Sequence, residues 1–262
     1  MKGLIKLSMN GTQLKILALI LMLVDHIAEF IPFTPIWFHY IGRLSAPVFM
    51  FCMIWGVYYT HNRKLYLTRM YMFGVIMALM NIICNNLYKN PYTYISNNIF
   101  VTLLLIGILC SIFDIRKQNR KKGNIYLIMF IIFQIISTLI CALLSMFINL
   151  KDVIMFFSAL IPNILLCEGS FIFVIFGVIL YYTKENKIKF SLIYTLFSSI
   201  FLLSAILSGK GLFNDQCQWM MIGALPLLLF YNNKKGIGLK YLFYIFYPVH
   251  IFLLFWIGNI FF

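Results

Sequence analysis

A chain of 262 residues could make one or two soluble domains, but 63% of its residues are hydrophobic and only 11% are charged. An average globular domain has about 25% charged residues, and a soluble fold could not cover this much apolar side chain. Soluble nucleic-acid-binding domains and disordered tails are thereby excluded, and a polytopic membrane protein is expected. The formal net charge of +14 clusters between apolar segments, the bias of cytoplasmic loops rather than of a nucleic-acid surface.

A helical span needs about twenty apolar residues. On that basis the chain reads as all-α, a polytopic bundle of about ten hydrophobic segments in one integral-membrane domain over 1–262. The segments fall near 12–32, 36–60, 67–87, 96–113, 124–149, 153–167, 170–183, 190–208, 216–231 and 241–262. Unbroken apolar runs favour helices over barrel strands, which alternate. The start, MKGLIKLSMNGTQLK, lacks the pattern of a cleavable signal peptide.

The first segment carries Lys15, Asp25, His26 and Glu29. An ionisable side chain in hydrocarbon costs about 2.5–3.5 kcal/mol even on the milder scale, so each marks a functional hypothesis. Asp25 and Glu29 share a helix face; Lys15 and His26 share another, about 16 Å apart. The second segment adds Arg43 at a depth similar to Asp25 and His26; an Asp25–Arg43 pair that merely holds the two helices together is the structural alternative to a functional role. His26 adds a group that titrates near neutral pH, which a static pair does not need.

The loop at 61–69 holds Arg63, Lys64 and Arg69, and the loop at 114–123 holds Arg116, Lys117, Arg120, Lys121 and Lys122. The opposite loops, at 31–35, 88–95 and 150–152, carry only Lys89 and Lys151. The N-terminus is therefore expected in the cytoplasm. Basic residues near 184–189 and 234–240 belong on the same side only if 153–183 crosses once in net, as one span plus a half-helix broken at Glu168-Gly169. Nine or ten crossings follow, and such breaks line cavities. Asn81, Asn97, Asn98 and Thr102 read as interhelical hydrogen-bond formers. In the last segment Pro248 frees a backbone carbonyl and His250 lies near mid-depth beside Tyr247. The six cysteines are scattered singly, with neither a disulfide framework nor metal spacing; no metal is expected.

Four stretches are recognisable in order: LKILALILMLVDHIAEF, IGRLSAPVFMFCMIWGVYYTHNRKLYLTRM, NNIFVTLLLIGIL and ALPLLLFYNNKKGIGLKYLFYIFYPVHIF. Together they resemble the TraX family from residue 14 to about 254. The resemblance implies an integral-membrane acetyltransferase of the bacterial cell membrane, of the kind that acetylates a pilin N-terminus in conjugative systems. It is also similar, more distantly, to the acyltransferase-3 membrane enzymes and to the lysosomal heparan-α-glucosaminide acetyltransferase. In acyltransferase-3 enzymes an Arg precedes a His by eleven residues; Lys15 and His26 keep that spacing but lose the planar fork of Arg. Trp55 stands where the family pattern has an acidic residue.

Acetyl transfer from acetyl-CoA needs a base for the acceptor's proton and a cation or dipole for the tetrahedral oxyanion. His26 is the candidate base with Asp25 beside it, and Arg43 the candidate oxyanion or orienting cation. Lys15, Glu29, Asn98, Glu168, Tyr247 and His250 are candidate cavity residues. Arg63, Lys64 and Arg69 are candidates for the cytoplasmic CoA phosphates. The expected partners are acetyl-CoA, membrane lipid and an extracytoplasmic acceptor, a peptide amine in preference to a glycan hydroxyl; no nucleic acid is expected. A proton-coupled transporter or flippase using Asp25, His26, Glu29 and Glu168 is the rival reading.

Overall fold

The computed structural model describes residues 8–88, 94–147, 151–209, 211–214 and 217–261; Lys89 lies outside them. The described residues are helical almost throughout. In chain order α1 is Gly11–Phe30, α2 Trp37–Gly42, α3 Ser45–Tyr59, α4 Arg63–Leu87, α5 Ile99–Gln118 and α6 Arg120–Phe147. Then follow α7 Lys151–Leu160, α8 Ser170–Thr183, α9 Lys187–Leu207, a 3₁₀ segment Cys217–Gly223, α10 Ala224–Leu229 and α11 Lys240–Phe261. Six helical stretches among the described residues are long and apolar enough to cross a membrane: Trp37–Tyr59, Arg63–Leu87, Ile99–Gln118, Arg120–Phe147, Lys187–Leu207 and Tyr241–Phe261. Ser170–Thr183 and Cys217–Leu229 are shorter apolar helices.

Several boundaries differ from the sequence reading for local reasons. The second segment breaks at Arg43-Leu44, because Pro47 has no N–H to donate to the carbonyl four residues before it and its ring crowds that carbonyl. The basic loops are largely helix. Asn62 caps α4 by accepting from the Leu65 N–H, so Arg63 and Lys64 open a helix. α5 and α6 meet at Asn119 alone, since Lys and Arg extend helices readily. The ninth segment is a 3₁₀ turn and a six-residue helix.

The chain divides into two compact units. Unit 1 comprises Met1–Cys52 with Thr183–Phe262, and unit 2 comprises Met53–Tyr182.

In unit 1, α1 packs against α2 and α11, and α9 against the 3₁₀ segment. Asn10 caps α1 in a capping box with Gln13. Lys15 lies over the Phe243 ring, His26 meets His250, and Phe30 meets Phe255 edge-on. The contacts rise together along both helices, so α1 and α11 are parallel and begin on one face. At that face the Gly11 and Thr12 N–H groups donate to the Lys234 and Lys235 carbonyls.

In unit 2, α4 packs on α5 and α7, and α6 on α5 and α7. The predicted break exists and is wider than Glu168-Gly169: α7 stops at Leu160 and α8 starts at Ser170. Side chains from α6 satisfy the irregular backbone between them. Gln134 Nε2 donates to the Pro162 carbonyl at 3.0 Å, and the Ile164 N–H donates to Gln134 Oε1 at 2.8 Å. Ser137 Oγ donates to the Ile161 carbonyl, and Asn163 Nδ2 to Ser137 Oγ. Asn163 Oδ1 in turn accepts from the Leu165 and Leu166 N–H groups. In an apolar surrounding each of those groups would be costly unpaired. Gly169, at φ +75°, turns the chain into α8 through the left-handed region.

Candidate functional site

The groups with titrating chemistry in unit 1 gather where α1, α2 and α11 meet. His26 and His250 are both buried, at 6% and 5% exposure. Their rings stack, and His26 Nδ1 lies 2.7 Å from His250 Nε2. The protonation pattern follows from one further contact: His250 Nδ1 is 2.6 Å from the Phe246 carbonyl. A carbonyl only accepts, so Nδ1 of His250 carries hydrogen. In the neutral ring Nε2 then holds the lone pair, and His26 Nδ1 is the donor to it. The basic atom of His26 is consequently Nε2. Glu29 Oε2 stands 3.7 Å from that nitrogen, placed to hold a proton that arrives there. Tyr247 closes one side, its ring 6.3 Å from that of His26.

Asp25 does not form the alternative pair with Arg43. Its Oδ1 accepts from His39 Nδ1 at 2.7 Å, and no carboxylate lies in ion-pair contact with Arg43 among the described residues. The helix break accounts for the change. Arg43 ends α2, whereas His39, one turn earlier, faces α1. Gly42 allows the approach, because a Cβ there would collide with the Asp25 side chain. Sequence reasoning missed His39, although its position four residues before Arg43 put both on one helix face. Arg43 remains close enough for its charge to act on His26. Its Nε is buried and has no hydrogen-bond acceptor. A buried N–H of that kind is rare in folded proteins.

The other expected site residues are placed differently. Lys15 engages the Phe243 ring at 5.2 Å rather than the histidine pair. Asn98 and Glu168 belong to unit 2. There Glu168 Oε2 accepts from the Asn98 N–H at 2.9 Å, at the start of α5, and Thr102 Oγ1 donates to the Glu168 carbonyl at 2.6 Å. Arg63 is also in unit 2, where Nη1 donates to Asp114 Oδ2 at 2.6 Å and Nη2 to Tyr181 Oη at 3.2 Å. Lys64 is exposed and Arg69 half-buried.

Among the described residues no cluster of three or more His, Cys, Asp or Glu could hold a metal ion. Fold and site together define a multi-pass helical membrane protein with a buried, hydrogen-bonded histidine pair. The chain belongs to the TraX protein family, which matches residues 10–258. It is similar to the probable fimbrial assembly protein FimC, serogroup H1, of Dichelobacter nodosus, with 28% identity over 94% of this chain and 94% of that protein. No solved structure matches it.

Proposed function

We propose that this chain is a membrane acetyltransferase that moves an acetyl group from cytoplasmic acetyl-CoA to an extracytoplasmic amine, with a peptide N-terminus as acceptor. The observation that carries the reading is the His26–His250 pair, whose tautomers are set by the Phe246 carbonyl. His26 Nε2 takes the proton from the acceptor ammonium, and the resulting imidazolium is held by the Glu29 carboxylate. The amine nitrogen attacks the thioester carbonyl, and the buried Arg43 Nε–H donates to the oxyanion. That first proton leaves His26 for water by way of Glu29. Nε2 then takes the second proton of the attacking nitrogen and gives it to the departing thiolate as the C–S bond breaks and the carbonyl re-forms. A neutral amide and a CoA thiol are left, and one proton is released per turnover. His250 never touches substrate; it positions the ring of His26. Within unit 2 the charge of Arg63 is already met by Asp114, whereas Lys64 and Arg69 have no carboxylate in ion-pair contact among the described residues.

Membership of the TraX family supports this reading, and the name of the similar Dichelobacter nodosus protein supports a role in fimbrial assembly. The transporter reading draws on Glu168, but that carboxylate is bonded to the start of α5. The distant acyltransferase-3 likeness rests on the spacing of Lys15 and His26. Purified protein, labelled acetyl-CoA and a peptide amine test the proposal: labelled peptide and stoichiometric free CoA are expected. CoA release without label on any acceptor amine, or an acetyl mark lost only from surface sugar hydroxyls in cells lacking the protein, would overturn the amine assignment.

The proposal places the protein in the cell membrane with a cytoplasmic N-terminus. The parallel course of α1 and α11 requires an even number of crossings between their starts, which supports one net crossing for 153–183 and nine in all. Single cysteines at 117–122 and 234–236, in a background without native cysteines, should label from the cytoplasm only. Labelling of 234–236 from outside would refute that topology.

A further inference from the structure

Unit 2 contains a small recess lined by Asn81, Asn98, Asp152, Ser158 and Glu168 among others. Its water-accessible space is about 20 Å³, room for one water or one ion of that size. The two amides that line it, Asn81 and Asn98, and Asn85, which bonds to its Asp152, have fixed orientations. Asn81 Nδ2 donates to the Asn97 carbonyl at 3.2 Å, Asn98 Nδ2 to the Gly74 carbonyl at 2.9 Å, and Asn85 Nδ2 to the Ile95 carbonyl at 3.0 Å. A carbonyl cannot donate, so none of these amides can be flipped. Asn85 is satisfied on its oxygen by the Ile95 N–H. Asn81 and Asn98 are not: each is 8% exposed, and each buried Oδ1 has no hydrogen-bond donor.

Two oxygens without donors thus share a recess with two carboxylates. Asp152 stands in the first turn of α7 and accepts from Asn85 Nδ2 at 2.8 Å. Glu168 stands at the start of α5. Each helix N-terminus offsets its carboxylate only in part, so the recess keeps a negative potential. Lys151, whose ammonium lies 4.2 Å from the Tyr94 ring centroid, is exposed and solvated. The lining therefore suits a small cation that prefers hard oxygen ligands, and the Tyr94 hydroxyl, which also lines the recess and has no hydrogen-bond partner, adds one more oxygen to it.

We propose that this recess binds a small monovalent cation, sodium being the size that fits. Amide and carboxylate oxygens coordinate it, and it ties the start of α5 to the start of α7. The inference draws on unit 2 alone and stands apart from the transfer chemistry assigned to unit 1. The test is the thermal midpoint of the purified wild-type protein, titrated with NaCl while choline chloride holds the ionic strength constant. A saturable rise with sodium is expected. Equal midpoints in sodium and choline would overturn the site, and a rise only with calcium or methylammonium would overturn the monovalent metal ion. Two variants locate the effect without emptying the core. Glu168→Gln keeps an acceptor for the Asn98 N–H but removes a charge, and should raise the half-saturating sodium concentration about tenfold. Asn81→Asp adds a charge and should lower it by about the same factor. If both titrate like the wild type, the cation binds elsewhere and the assignment fails.

Discussion

Unit 1 meets its buried polar groups with imidazoles: His39 takes the Asp25 carboxylate, and His250 takes the N–H of His26. Unit 2 meets its own with amides and hydroxyls, and their partners are mostly backbone, as with Gln134, Ser137 and Asn163 around the break before α8. The contrast has a physical meaning. An amide bonded to a carbonyl and an N–H has one state near neutral pH, and removing it leaves orphaned backbone groups. An imidazole can gain or lose a proton without leaving its place. Proton chemistry is thus concentrated in unit 1, and the polar groups of unit 2 chiefly hold irregular chain together.

The strongest way to break this contrast is His26→Ala. Acetyl transfer should fall by about 10²–10⁴-fold in a variant that still folds, though less stably because His250 loses its partner; a purified variant with near-normal turnover would remove His26 as the base. Arg43→Lys comes next, with kcat expected to drop about 10²-fold, since a single oxyanion donor contributes on that order and a Lys ammonium cannot reproduce the position of Nε. Unchanged kcat in that variant would leave Arg43 without a catalytic role.

His250 sharpens the comparison, because it acts only through its neighbour. His250→Phe should lower kcat by about tenfold and alter the pH profile of kcat, leaving KM for acetyl-CoA in place. His250→Gln, whose amide oxygen can accept from His26 Nδ1, should recover part of the rate. Equal rates in the two variants would contradict the positioning role. Gln134→Leu supplies the opposite case. It strips two buried backbone groups of their partners and should cost about 2–4 kcal/mol of stability, read as a lower denaturation midpoint, while the folded fraction keeps its kcat. A kcat that fell with stability intact would mean that unit 2 takes part in the chemistry.

The helical class, the membrane setting and most helix positions were legible because a run of about twenty apolar residues matches the thickness of a bilayer core and suits little else. His26 and His250 were legible singly, as polar residues out of place. Their hydrogen bond was not, since 224 residues separate them and no periodicity links distant helices. Arg43 was the partner weighed for Asp25 because the second segment was read as one straight helix; Pro47 was visible, but the face that its break would turn toward α1 was not. The break before α8 was found from Glu168-Gly169, yet the residues that make it tolerable, Gln134 and Asn163, sit in apolar surroundings where amides look like minor interruptions.

The parallel pairing of α1 with α11 also bears on how the protein is made. A ribosome adds about 5–20 residues each second, so His26 is synthesised roughly 10–45 s before His250 exists. Throughout that interval α1 carries Asp25, His26 and Glu29 with the C-terminal half of the constellation still missing, a costly load for a helix in lipid. The nascent chain therefore has a reason to keep α1 sheltered, in the insertion machinery or against α2 with its Asp25–His39 contact, until the final helix arrives. Completion of the last helix is then the event that both settles the first one in the bilayer and gives His26 its partner.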